Sequence, residues 1–160
     1  MTSRITFIVL TLSLSCLASA QAFAGATNGP SALALAALVG DRAPQVVPLE
    51  KRLLAAFLDG HAEMPHPKGK NIVVKADSID CRASNVDVTQ HACTLAFGDK
   101  KIELVGRKAH ELYATLVENG VAADGAAGSI HVAVTALDCQ VDADEVREKA
   151  GGGARCAFNP

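Results

Sequence analysis

Tryptophan is absent from this chain, and tyrosine occurs once, at Tyr113. Carbohydrate and single-stranded nucleic acid sites are built on aromatic platforms, so a chain this poor in them is ill equipped for either ligand. Positive charge is short as well. Lys and Arg number 15 against 17 Asp and Glu, a formal charge of −2, which leaves no general attraction for phosphate backbones or anionic lipid. No G-x-S-x-G elbow, no CxxC or CxxCH, and no glycine loop followed by Lys-Ser/Thr occurs. The motifs of the nucleophile-elbow hydrolases, zinc ribbons, c-type haem proteins and P-loop enzymes are therefore missing. Long apolar runs are missing too, except at the amino terminus.

That exception has the three parts of a secretory signal: Arg4 as the charged start, an apolar run from Ile5 to Leu17, and small residues before a cleavage point. The run is short for a membrane span and is diluted by Ser13, Ser15 and Ser19. Residues 1–24 are expected to be removed after Ala22-Phe23-Ala24, with Ala18-Ser19-Ala20 as the second site. Cys16 would be the acylated residue of a lipoprotein, but Ser13 stands where a lipid-attachment box has Leu, so lipidation is not expected. Cleavage takes Arg4 with it and leaves 14 basic against 17 acidic side chains. The remaining residues 25–160 suffice for one domain with a real core and hardly for two.

Four cysteines then remain, an even number in an oxidising compartment, and they sit in a repeated frame. Ile72, Val74, Ala76, Ile79, Asp80 and Cys81 have the spacing of Ile130, Val132, Val134, Leu137, Asp138 and Cys139; Cys93 and Phe97 close the first unit, Cys156 and Phe158 the second. Nearest-neighbour pairing, Cys81 with Cys93 and Cys139 with Cys156, staples each strand-loop-strand element where its loop begins and ends. Each bond is worth about 3 kcal/mol if chain entropy dominates.

The alternation of Ile72, Val74 and Ala76 with Lys75 and Asp77 predicts a half-buried strand over about 71–81. Further strands are expected at Ala92–Phe97 and Lys101–Val105, joined by a Gly98-Asp99-Lys100 turn, then at Ser129–Cys139 and Arg155–Phe158. Helices are expected at Ser31–Val39, with Ser31 as N-cap, and from Pro48 through Phe57 to Gly60. A third carries Ala109, Leu112, Tyr113, Leu116 and Val117 on one face, and one helical turn falls near Ala143–Lys149. Gly25–Pro30 is expected to be a disordered lead-in, and Val121–Gly128 a flexible return. The class that follows is α+β: an antiparallel sheet of about five strands with helices on one face and two disulfide-stapled units. If the frame reflects an internal repeat of an αβ unit, the helix Leu49–Phe57 answers Ala109–Val117.

The candidate sites are few. Asp80 and Asp138 precede the first cysteine of each unit and are candidate partner contacts, or else caps for their loops. His61, Glu63, Met64 and His66 gather imidazole, carboxylate and thioether donors suited to copper, although Pro65 and Pro67 deny them helical pre-organisation. Ser129-Ile130-His131 has hydrolase residue types without an elbow, and Gly151-Gly152-Gly153 lacks what a phosphate cradle needs. Asp142, Asp144, Glu145 and Glu148 lack the calcium-loop pattern and are expected to be solvated. These residues predict an exported protein, periplasmic or secreted, with no cofactor and no catalysis. Its partner is expected to be an envelope or extracellular protein met through the loops Arg82–Ala92 and Gln140–Arg155. A metal-binding protein using the His61–His66 loop is the alternative, and a hydrolase the remote one.

Overall fold

A computed structural model describes residues 24–61, 68–126 and 128–160. Residues 1–24, expected to be a secretory signal, lie outside the described residues apart from Ala24. The strands, in chain order, are Gly25–Asn28 (β1), Asn71–Ala76 (β2), Ser78–Ser84 (β3), Ala92–Phe97 (β4), Lys100–Val105 (β5), Asp124–Ala126 (β6), Ser129–Val134 (β7), Ala136–Asp142 (β8) and Ala154–Asn159 (β9). The helices are Pro30–Gly40 (α1), Pro48–Leu58 (α2), Arg107–Glu118 (α3) and Ala143–Glu148 (α4), with a 3-10 turn at Val88–Gln90.

The strands form two antiparallel sheets, β1-β9-β8-β2 and β5-β4-β3-β7-β6. Each long strand anticipated from sequence serves both sheets, and the hydrophobic pattern marks where it crosses. Ile72, Val74 and Ala76 are buried, then Ile79, Cys81 and Ala83; the period of two slips at Asp77-Ser78. The second copy slips at Thr135-Ala136, between Val134 and Leu137. A slip of one residue turns side chains to the opposite face, so the core can stay on the same side only if the strand bends. The two long strands keep one register across the bends, Ala76 facing Leu137 and Ile79 facing Val134, while at the bends themselves each turns to its other neighbour, Ser78 to Ala96 and Ala136 to Asn159.

The two units interlock about a pseudo-two-fold axis through these corners. Each sheet takes its stapled pair from one unit and the flanking strands from the other, β1 and β2 around β9-β8, and β5 and β7 around β4-β3. The backbone contacts repeat closely. Gly29 N–H donates to Ala154 O at 2.8 Å as Gly106 N–H donates to His91 O at 2.8 Å, and Asp77 N–H donates to Ala96 O at 2.9 Å as Thr135 N–H donates to Asn159 O at 2.8 Å. Gly29 and Gly106 turn strand into helix with φ of 69° and 62°, a region costly for any residue with a Cβ. Both disulfides form between residues directly opposed on adjacent strands, Cys81–Cys93 and Cys139–Cys156.

Four expectations change. Gly25–Asn28 is a strand, paired with β9 from Gly25 opposite Phe158 to Asn28 opposite Arg155; its composition is that of a loose lead-in, and only a partner distant in sequence orders it. The N-cap of α1 is Gly29 with Pro30 in the first turn, and Ser31 makes no cap. The counterpart of α3 is α1, not the Leu49–Phe57 helix. Ala32, Leu35 and Val39 on α1 are fully buried, as are Ala109, Leu112 and Leu116 on α3. The helix α2 packs on α1 from outside and has no equivalent in the other half. Part of the stretch expected to be a flexible return, Asp124–Ala126, is a short edge strand against β7. The helices α1 and α3 touch each other and lie on the core-facing side of the sheets, leaving the outer face to Asp80, Arg82, Lys75, Asp138 and their neighbours.

Candidate functional site

The outer sheet face carries the two repeated aspartates, and the pseudo-symmetry ends at their partners. Asp138 lies directly opposite Lys75 and pairs with its Nζ at 2.8 Å. Asp80 lies opposite Ala133 and reaches the diagonal His131, with Oδ2 2.7 Å from Nε2, while Arg82 stands 4.0 Å away. The Asp80 side chain is 48% exposed and that of Asp138 18%, and the buried Oδ1 of Asp138 has no hydrogen-bond partner. Neither caps its loop; that role falls to Asp142, which accepts from the N–H groups of Asp144 and Glu145 at 3.0 Å, and to Asp87. Asp138 lines two shallow clefts on the outer face, about 460 Å³ beside Ala26, Arg155 and Ala157 and about 300 Å³ at the strand corners. The two repeated aspartates thus sit in separate sheets. No hydrogen bond joins Ser129 to His131 among the described residues.

Of the copper-type donors, His61 follows the end of α2, while Glu63, Met64 and His66 lie outside the described residues. A cleft of about 490 Å³ lies between the start of α1, the end of α2 and the loop after α4, with Leu33, Phe57, Leu58, Val146 and Arg147 on its walls.

The first stapled loop is braced by its own polar side chains. Ser84 Oγ accepts from the N–H groups of Val86 and Asp87 at 3.2 Å, and Asp87 Oδ1 accepts from Thr89 N–H at 2.8 Å and Thr89 Oγ1 at 2.7 Å. The Thr89 hydroxyl, then its backbone N–H, hold the Asp87 carboxyl below the ordinary carboxylate range, with His91 adding in the same sense. The apex presents apolar side chains beside these groups: Val86 is 89% exposed and Val88 is exposed too. Val105, also exposed, faces Ala92 where the loop rejoins the sheet.

Beneath that loop lies a cluster invisible to local sequence reading. His91, at 4% exposure, is the buried polar side chain of the described core. Its Nε2 lies 2.9 Å from Ser84 O and its Nδ1 3.2 Å from His110 Nδ1. Tyr113, one turn along α3, sets its ring edge-on to His91 with centroids 5.8 Å apart. The equivalent positions in the other half are Ala154, Leu33 and Ala36. Aligning α1 with α3 on their glycines is the one sequence comparison that would have exposed this replacement of apolar by polar residues. No family model, no curated protein and no solved structure matches the chain.

Proposed function

We propose that this protein is exported and works outside the cytoplasm as a binding protein. Its principal contact element is the stapled loop Arg82–Ala92, with Gln140–Arg155 as the symmetry-related second loop, and its partner is another protein of the envelope or medium. The observation that carries this reading is the group of exposed valines, Val86, Val88 and Val105, at one end of the β5-β4-β3-β7-β6 sheet. Single exposed aliphatic residues need no explanation, but two on one short braced loop, with a third where that loop rejoins the sheet, do. The Cys81–Cys93 bond and the Ser84 and Asp87 hydrogen bonds hold the loop in one conformation. Less ordering entropy is then lost on docking, and a buried aliphatic anchor can dominate the affinity. Two disulfides, and no helix among the described residues long and apolar enough to cross a membrane, are compatible with that compartment.

The test is affinity capture from a native envelope fraction by the wild type and by Val86→Asp, followed by calorimetry on the retained protein. The substitution should weaken binding at least ~10-fold, since a charge would enter a desolvated contact. Equal affinity of the two would remove the loop apex from the interface.

A further inference from the structure

We infer that His91 and His110 form a two-nitrogen site for a borderline divalent transition ion of the copper or zinc class. This site is distinct from the His61–His66 segment and independent of the protein-binding reading. The first support is the tautomer of His91. Its Nε2 lies 2.9 Å from the Ser84 carbonyl oxygen, which can only accept, so Nε2 carries the proton and the Nδ1 lone pair points toward His110. A ligating imidazole is commonly fixed in this way, by donating its other N–H to a backbone carbonyl.

The second support is the relation between the rings. Their Nδ1 atoms are 3.2 Å apart and their centroids 4.8 Å apart. Two imidazoles joined by a straight N–H···N bond of that length would hold their centroids about 5.5 Å apart. Two imidazoles sharing one ion at about 2.05 Å, with the same nitrogen spacing, subtend roughly 100° at the metal and hold them about 5.0 Å apart. The observed separation is shorter than a straight hydrogen bond gives and is close to that of two rings sharing one ion. Without metal, His110 Nδ1–H donates to His91 Nδ1. Binding needs only that the His110 proton leave Nδ1 for Nε2, with no net change in protonation, after which both Nδ1 lone pairs face the ion. No three His, Cys, Asp or Glu side chains converge as metal donors among the described residues. The remaining coordination positions therefore fall to water, and imidazole donors favour copper over zinc in affinity.

Tyr113 supplies the readout. With no tryptophan in the chain and one tyrosine, intrinsic emission comes from a ring centred 6.5 Å from His110 and 5.8 Å from His91. Copper(II) chloride added to the mature protein should quench that emission with saturation near one equivalent. Calorimetry with zinc chloride should give the same stoichiometry at lower affinity. His110→Ala and His110→Gln, at a half-buried position on α3, should each lose at least ~10-fold in copper affinity. The double variant His61→Ala/His66→Ala should bind like the wild type. Absence of saturable binding to the wild type, or binding and quenching unchanged in both His110 variants with far-UV circular dichroism intact, would overturn the assignment.

Discussion

The two halves share a backbone plan and differ in what occupies it. In one, α3 lies on the β5-β4-β3-β7-β6 sheet with one face to solvent, and the space under the stapled loop is filled by His91, His110 and Tyr113. In the other, α1 is enclosed by the β1-β9-β8-β2 sheet, by α2 and by α3, and small apolar residues, Ala154 and Ala36 with Leu33, stand in the same places. The lesson is that the repeated frame sets where strands, staples and helix starts go, while the side chains set on it divide the labour. One half carries a polar cluster under an apolar-tipped loop; the other carries an apolar cleft beside α2.

The sharpest way to break this comparison is to truncate equivalent leucines. Leu35 and Leu112 are both fully buried, and each change to Ala should cost about 2–5 kcal/mol in urea unfolding. Leu35→Ala should be the larger, because a helix packed on all sides cannot collapse into the cavity. Equal losses would show that α2 adds no constraint. Next come the staples. Removing Cys139–Cys156 or Cys81–Cys93 as paired serine variants should cost about 3 kcal/mol each, nearly equal, since sequence separations of 17 and 12 differ by only about 0.3 kcal/mol in loop entropy. A strong inequality would mean that one unit nucleates the fold of the other.

The outer-face pairs should separate more gently. Lys75→Met leaves the mostly covered Asp138 carboxylate without its ion pair and should cost on the order of 1 kcal/mol by thermal unfolding, whereas His131→Ala at the more exposed Asp80 should fall within about 0.5 kcal/mol. The smallest effect concerns Asp87. Its carboxyl is held below the ordinary range by Thr89, so the loop is favoured above the unfolded-state value and loses that contribution as pH falls through the lowered folded-state value. Amide exchange at Thr89, after correction for the intrinsic pH dependence of exchange, should therefore lose protection on acidification. The comparison site is the amide of Glu145, which donates to Asp142 at the start of α4. Parallel loss at both would point to global rather than local opening.

Much of the frame was legible in the chain itself. The strands at 92–97 and 100–105, the amphipathic α3, the Pro48 start of α2 and the two cysteine pairings all follow from period, turn chemistry and spacing. The phase slips at Asp77-Ser78 and Thr135-Ala136 were also present in the letters, and they are the signal that each long strand bends between sheets. Three features were not readable. The strand at Gly25–Asn28 depends on β9, far along the chain. The pairing of α1 with α3 depends on an interlocked topology that places the first strand of each unit beside the last strand of the other. The meeting of His91 with His110 depends on α3 folding back over the loop.

What the sequence determined by itself was therefore local and covalent: alternation, helical faces, glycine turns and a cysteine spacing that suits short-range bridges. Tertiary structure alone decided which strands became neighbours, which sheet each half of a bent strand joined, and which polar side chains met beneath the first loop. The physical reason is range. Periodicity and turn chemistry act over a few residues and are written in consecutive letters, whereas the partner of an edge strand or of a buried imidazole is chosen by the packing of the whole core, where distance along the chain has no bearing on distance in space.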